Sequence, residues 1–102
     1  MQEFVKVARL SEFSGSKCKA VEVSGQRLLL VNTPAGVFAV EDACSHLGAP
    51  LSQGFATKDS ITCEWHGASF DLRTGEALCA PAKDPISVYE VRVIGDDIEV
   101  LI

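Results

Sequence analysis

The chain has little or nothing of several features that common functions require. Its nine lysines and arginines are scattered and outnumbered by fourteen acidic residues, which gives a net charge of −5 over 102 residues. Nucleic-acid binding is therefore not expected. No apolar run reaches the length of a membrane-spanning helix, and Met1 to Lys6 lacks the basic and apolar stretches of a signal peptide. These absences predict a soluble, cytoplasmic protein with neither nucleic acid nor a membrane as a partner.

Glycine-rich cofactor loops are also missing. None of the eight glycines belongs to a G-x-G-x-x-G pattern, so the sequence predicts no flavin or nicotinamide site. The length suits one domain over residues 1–102 that buries its own core. Because a second, catalytic domain has no room beside it, the chain is not expected to be an enzyme.

Histidine is scarce, and both histidines lie in two short arms with two of the four cysteines. The arms are Cys44-Ser45-His46 and Cys63-Glu64-Trp65-His66. Each arm offers one soft thiolate sulfur and one borderline imidazole nitrogen. The pattern predicts a metal site with four ligands: Cys44, His46, Cys63 and His66.

Two metal centres fit four such ligands. Structural zinc usually takes a pair of cysteines and a pair of histidines from separate knuckles, whereas each arm here mixes the two types. Mixed arms suit a [2Fe–2S] cluster in which both cysteines hold one iron and both histidines hold the other, which is the ligand set of a Rieske centre. A zinc-stabilised binding module stays the alternative, and it would be colourless.

The residues around both arms resemble those of Rieske-type ferredoxins. The matching stretches are Cys44 to Gly54 (CSHLGAPLSQG) and Cys63 to Gly75 (CEWHGASFDLRTG), followed by Pro81 in the place of the family's proline loop. The resemblance implies one [2Fe–2S] cluster per chain, with Cys44 and Cys63 on one iron and His46 and His66 on the other. It also implies a Rieske fold, with a small cluster-binding lobe over about residues 43–80.

The chain differs from the Rieske proteins of cytochrome bc complexes at three positions. Ala49 and Trp65 stand where that branch has the cysteines of a disulfide between the loops, and Ala68 stands where it has a serine that bonds a cluster sulfide. Fewer donors stabilise the added electron less. We therefore expect a reduction potential in the lower part of the Rieske range, which spans roughly −150 to +300 mV.

The resemblance implies a function in electron transfer. It is to the ferredoxin components of aromatic-ring-hydroxylating dioxygenases, which carry electrons from a flavin-dependent reductase to a terminal Rieske oxygenase. The chain is not expected to be the oxygenase itself, because no histidine remains in it for a mononuclear iron site once His46 and His66 bind the cluster. The alternative is the small Rieske subunit of an assimilatory nitrite reductase.

Short apolar stretches separated by turn residues predict an all-β fold. The predicted strands run over Phe4–Leu10, Ala20–Val23, Arg27–Val31, Val37–Glu41, Ile86–Ile94 and Ile98–Ile102, with at most one helical turn over Ser11–Ser16. Turns are expected at Ser24-Gly25, Thr33 to Gly36 and Asp96-Asp97. Consecutive antiparallel hairpins forming a sandwich or barrel follow from this spacing.

Some residues outside the arms carry weaker expectations. Cys18 and Cys79 are interpreted as small, partly buried side chains, with a disulfide or a reactive thiol left open. The acidic residues near the arms are interpreted either as ordinary solvated charge or as charges that steer a basic partner. These residues are Glu41, Asp42, Glu64 and Asp71.

Overall fold

The predicted all-β antiparallel class is confirmed. A computed structural model describes residues 2–13, 17–43, 51, 54–57, 59–63, 67–78 and 85–102. Within these ranges every strand pairing is antiparallel, and the strands form three sheets. The strands are β1 Phe4–Arg9, β2 Cys18–Val23, β3 Gln26–Thr33, β4 Gly36–Glu41, β5 Phe55–Ala56, β6 Ser60–Thr62, β7 Ser69–Asp71, β8 Val88–Tyr89, β9 Val91–Ile94 and β10 Asp97–Leu101.

The central sheet has the strand order β2-β3-β4-β8. Its first three strands form the predicted hairpins, and both residues of the Ser24-Gly25 turn have positive φ, as a tight two-residue turn requires. In β3, the four residues from Leu28 to Val31 have no exposed surface. An uninterrupted apolar run is typical of a strand that is covered on both faces.

Two hydrophobic cores lie on the two sides of the central sheet. Leu28 and Leu30 point into the core shared with the sheet β1-β10-β9, together with Ile98 and Val100 of β10. Leu29 and Val31 point into the core shared with the sheet β5-β6-β7. The alternation along one strand therefore joins three layers of sheet into one packed unit.

One predicted pairing is wrong and one predicted strand is interrupted. The first strand does not form a hairpin with the second, because β1 pairs with the distant β10, from Phe4–Leu101 to Arg9–Asp97. The predicted strand Ile86–Ile94 divides at Glu90, since β8 pairs with β4 whereas β9 pairs with β10. The chain passes from one sheet to another there, and it can do so only by leaving the first ladder.

Two shorter predictions also need adjustment. The last hairpin turns at Gly95-Asp96, and Asp97 already belongs to β10. The single helical turn is a 3₁₀ helix over Leu10–Phe13, one residue earlier than predicted, and residues 14–16 lie outside the described ranges. Among the described residues there is no apolar helix of membrane-spanning length.

The small sheet β5-β6-β7 was not predicted. It lies between residues 55 and 71, inside the range expected for the cluster-binding lobe, and its strands have only two or three residues. Side chains on one face of this sheet, the inward row, pack on the central sheet, and those on the other face, the outward row, point away from it. The inward row consists of Ala56, Ile61, Phe70 and Ala77.

Stability at alkaline pH should depend on Cys18 and Tyr89. Burial raises the pKa of the Cys18 thiol, with Lys17 lowering it and Asp42 adding to the rise. Burial, and then Glu41, raises the pKa of Tyr89. The folded chain therefore keeps both protons to higher pH than the unfolded chain. This contribution to the unfolding free energy is complete below the unfolded thiol pKa of roughly 8.5 and is lost as pH rises through the raised native values.

We therefore expect the apparent melting temperature of the wild-type protein to fall more steeply above about pH 8.5 than that of a Cys18→Ala variant. Thermal melts of both proteins across this pH range check the difference, and because the variant keeps all four predicted ligands, any alkaline sensitivity of the predicted metal site cancels. Parallel curves would show that the Cys18 thiol does not titrate differently in the two states.

Candidate metal centre

The β6–β7 hairpin carries the second predicted ligand arm in its connecting loop. Cys63 follows β6 directly, and Ala68 precedes β7 directly. The Cys63 N–H donates to the Ala68 carbonyl at 2.7 Å, and the Gly67 N–H donates to the Cys63 carbonyl at 3.1 Å. Gly67 has a φ of 74°, a left-handed conformation that glycine adopts without strain. These two bonds bring the described ends of the loop, Cys63 and Gly67-Ala68, together.

Cys63 is buried although it lies at the end of a hairpin. Only 2% of its surface is exposed, and it belongs to the same core as Leu51, Ala68 and Phe70. A thiol in such a place is shielded from water and from soluble oxidants. The position therefore suits a cysteine that binds a metal from the edge of a hydrophobic core.

The three other predicted ligands, Cys44, His46 and His66, lie outside the described residues. The structure describes the start of the first arm, where β4 ends at Glu41 and Asp42 follows. The Asp42 side chain is fully buried and pairs with Arg27 at 3.3 Å, while its backbone N–H donates to the Arg27 carbonyl. This anchor fixes the chain to β3 two residues before Cys44.

The donor set fits a two-iron cluster better than zinc. Two thiolates and two imidazoles, one of each per arm, match the Rieske ligand set, and the one predicted ligand that the structure describes, Cys63, is buried at the edge of a core. Within the described ranges themselves, no group of three or more histidine, cysteine, aspartate or glutamate side chains is placed to hold a metal ion.

A third loop begins beside the hairpin at Gly75. The Ile86 N–H donates to the Gly75 carbonyl, and the Gly75 N–H donates to the Asp71 carbonyl, both at 2.8 Å. A Cβ atom added at Gly75 would overlap the carbonyl oxygen of Ile86. The contact between the Gly75 and Ile86 backbones holds together the two ends of the segment that contains Cys79 and Pro81. Both of these residues lie outside the described ranges.

The acidic residues near the arms have structural partners. Glu41 accepts the Ser87 N–H at 2.8 Å, and Asp71 accepts the backbone N–H groups of Arg73 and Thr74 at 2.7 and 3.1 Å. Asp42 is buried, so it cannot contact a partner. Glu64 lies outside the described residues. The described carboxylates therefore stabilise the loops around the site, which weakens the interpretation that they steer a partner.

The outward row of the small sheet was missed by sequence reasoning. Phe55, Thr62, Ser69 and Leu78 follow one another across the sheet and its bridged edge. Phe55 and Leu78 are 62% and 54% exposed, and between them the Thr62 and Ser69 hydroxyls form a hydrogen bond of 2.9 Å. The alternation Ser60-Ile-Thr-Cys63 and Ser69-Phe-Asp-Leu72 is the signal that predicts such a row.

Comparison with known proteins agrees with this geometry. Residues 3–90 match the Rieske [2Fe-2S] domain family. A curated relative from Shigella flexneri serotype 5b (strain 8401), the 3-phenylpropionate/cinnamic acid dioxygenase ferredoxin subunit, is 46% identical over 72 residues, which cover 70% of this chain and 68% of that protein.

Two solved structures share the whole architecture. The ferredoxin of carbazole 1,9a-dioxygenase from Nocardioides aromaticivorans IC177 superposes with a TM-score of 0.87 at 33% identity, covering 95% of each chain. A chain in the complex of reduced oxygenase and oxidized ferredoxin in carbazole 1,9a-dioxygenase superposes with a TM-score of 0.86 at 31% identity, covering 95% of this chain and 91% of that one.

Proposed function

The chain belongs to the Rieske [2Fe–2S] family, and we propose that it carries single electrons from a flavin-dependent reductase to a terminal Rieske oxygenase. The observation that carries this proposal is the superposition on a dioxygenase ferredoxin over 95% of both chains, which leaves little of the described fold for another activity. The chain would then be a component without a substrate of its own.

The proposed ligands are Cys44 and Cys63 on one iron and His46 and His66 on the other. When bound, the cluster supplies a site that accepts and releases one electron. The chain's own residues do the rest. The Cys63–Ala68 and Gly67–Cys63 hydrogen bonds orient the second arm, the Asp42–Arg27 contacts anchor the first, and the core around Cys63 excludes water.

A low reduction potential stays a prediction. Ala68, the residue that replaces a hydroxyl donor, is fully buried in the core beside Cys63 and offers no side-chain hydrogen bond. We expect a redox titration to give a midpoint in the lower part of the range of roughly −150 to +300 mV. A midpoint well above zero would contradict the argument from missing donors.

The partners are proposed from the relatives. Because the relatives are ferredoxins of dioxygenase systems, we propose a terminal oxygenase of aromatic hydrocarbon catabolism as the electron acceptor. We propose a flavin-dependent reductase as the electron donor. A cytoplasmic location suits such partners. The nitrite reductase subunit is the weaker alternative, because the relatives at 46% and 33% identity are dioxygenase ferredoxins.

Reconstitution tests this function. The purified chain is mixed with NADH and with the reductase and oxygenase components of 3-phenylpropionate dioxygenase, the system of the 46% identical relative. We expect product formation that depends on the chain and saturates with its concentration. A subunit of nitrite reductase would instead stay inactive here and co-purify from its own cells with a large partner.

The β6–β7 hairpin, which carries the second predicted ligand arm, is called the ligand hairpin below. The exposed apolar residues beside it should contact the oxygenase. Leu78→Ser, on the outward row, is expected to lower the rate of electron transfer to the oxygenase at limiting concentration by about tenfold, which corresponds to about 1.4 kcal/mol of binding. Ile94→Ser is the matched control, since Ile94 is 55% exposed but lies on β9, in the sheet on the opposite side of the central sheet. Stopped-flow oxidation of the reduced chain measures both. Equal rates in the two variants would place the contact elsewhere.

A further inference from the structure

The two strands of the ligand hairpin are joined by a pair of hydroxyls. Thr62 and Ser69 face each other in register, and Thr62 Oγ1 lies 2.9 Å from Ser69 Oγ. Thr62 is the last residue of β6 and Ser69 is the first residue of β7, so they are the last paired strand residues before the segment 63–68. Both side chains are partly buried on the outward face, between the exposed Phe55 and Leu78.

The backbone does not join the strands at this pair. In an antiparallel ladder, hydrogen-bonded pairs alternate with pairs whose backbone groups point to the outer neighbours. The Cys63 N–H donates across the strands to the Ala68 carbonyl, so the adjacent Thr62–Ser69 pair is of the other kind. The Ser69 carbonyl accordingly accepts the Leu78 N–H at 2.7 Å, on the far side of β7. At this pair the side-chain hydrogen bond is therefore the direct link between β6 and β7, next to the backbone bond from Cys63 to Ala68.

Small movements at this pair reach the ligands directly. Thr62 directly precedes Cys63 in the chain. The Cys63 carbonyl in turn accepts the N–H of Gly67, the residue that follows His66. The hairpin is short, with three residues in each strand, so few other hydrogen bonds hold its geometry. Metal ligands must stay within a few tenths of an ångström of their bonding positions.

We propose that Thr62 and Ser69 are positioning residues for the cluster: their mutual hydrogen bond closes the base of the second ligand arm and fixes the spacing of Cys63 and His66. This inference rests on the proposed function, because it needs both residues of that arm to be ligands. Neither hydroxyl has to touch the cluster. The pair acts through the backbone of the loop that it closes.

The test compares Ser69→Ala with Ser60→Ala in the holoprotein. Ser60 is the matched control because it is also a half-buried serine of the small sheet whose Oγ lies 2.8 Å from a threonine hydroxyl, that of Thr57, but at the opposite end of β6. The measured quantities are the rate of iron transfer to a ferrous chelator and the linewidths of the EPR spectrum after reduction. We expect Ser69→Ala to release iron about tenfold faster, the lower end of the effect of outer partners of metal ligands, and to broaden the lines. Ser60→Ala should match the wild type.

Three further variants separate positioning from simple destabilisation. Thr62→Val should behave like Ser69→Ala, the double variant should be no worse than either, and Thr62→Ser, which keeps the hydroxyl, should restore slow release. Equal release rates for Ser69→Ala and Ser60→Ala, or no rescue by Thr62→Ser, would overturn the proposal. If the wild type contains the cluster and the variants release iron at its rate, only the positioning role is wrong. If the wild type contains no iron, the proposed function is wrong.

Discussion

Replacing Cys63 by serine is expected to remove the cluster. Serine keeps nearly the same volume and shape, so the core contacts with Ala68 and Phe70 and the hydrogen bond from the Cys63 N–H to the Ala68 carbonyl should survive. A hydroxyl is far less acidic than a thiol and is a hard ligand, so it replaces a thiolate on iron poorly. Because changes to outer partners already cost about 10- to 100-fold in metal affinity, loss of a ligand should cost at least about 100-fold.

The measurements are iron per chain, visible absorption and the rate of electron delivery to the oxygenase. Cys63→Ser should give a colourless protein with transfer at background. Cys18→Ser is the matched control, because Cys18 lies in β2 and packs against the same core but belongs to neither arm. We expect it to keep its iron and its rate. A Cys63→Ser protein with a full complement of iron would remove Cys63 from the ligand set.

The second large effect is expected from Gly75→Ala, which should destabilise the fold by about 3 kcal/mol. An alanine at a φ of 80° has a cost of about 1–2 kcal/mol for the left-handed backbone alone. Its Cβ would also overlap the Ile86 carbonyl and approach a methyl of Val88, and overpacking of this kind typically costs a further 1–3 kcal/mol or so. The overlapped atom belongs to the backbone, so relief requires a shift of the Gly75 and Ile86 backbones, which a hydrogen bond joins.

Gly95→Ala separates the two causes. Gly95 has a φ of 62°, but no atom lies within 4 Å of an added Cβ, so only the backbone cost applies. With about 4–8 °C per kcal/mol for a domain of this size, Gly75→Ala should lower the melting temperature by more than about 10 °C, and Gly95→Ala by clearly less. Far-UV circular dichroism and cluster absorbance should both report the midpoint. Equal losses in the two variants would show that the chain adjusts easily around Gly75.

The local parts of the fold could be predicted from the sequence. Runs of valine and leucine divided by Ser24-Gly25 and by Pro34-Ala35 predict the β2-β3-β4 hairpins, since short turns fix which strands are neighbours. The pairing of β1 with β10 depends on which distant strand completes the core around Ile98 and Val100. Packing decides which distant strand pairs with β1, and the residue pattern of a single strand does not predict that partner.

The small sheet was missed because its strands are too short to show a period. β5 has two residues, and β6 and β7 have three each, so alternation is visible only when the flanking Cys63 and Leu72 are included. The break at Glu90 is invisible for a related reason. The apolar pattern continues across it, while the hydrogen-bonding partner changes from β4 to β10.

The four ligands of the candidate site are predicted from the sequence alone, whereas the contacts around them are not. The spacing of the arms names four ligands, and the structure places Cys63 buried at the loop of a hairpin. The sequence does not reveal that the Glu41 and Asp71 carboxylates accept hydrogen bonds from backbone N–H groups. Nor does it reveal that the Thr62 and Ser69 hydroxyls form a hydrogen bond between two strands. Such contacts depend on register, which is known only once the strands are paired.

Two cysteines and two histidines are expected to bind a two-iron cluster, and one measurement tests this most directly. Protein labelled with ¹⁵N only in histidine is analysed for iron and acid-labile sulfide, reduced with dithionite, and studied by pulsed EPR. A Rieske centre should give about two irons and two sulfides per chain, with strong hyperfine coupling from two histidine nitrogens. Both histidines of the chain, His46 and His66, would then be accounted for. Zinc in place of iron, or a reduced cluster with no coupling to histidine nitrogen, would contradict the account.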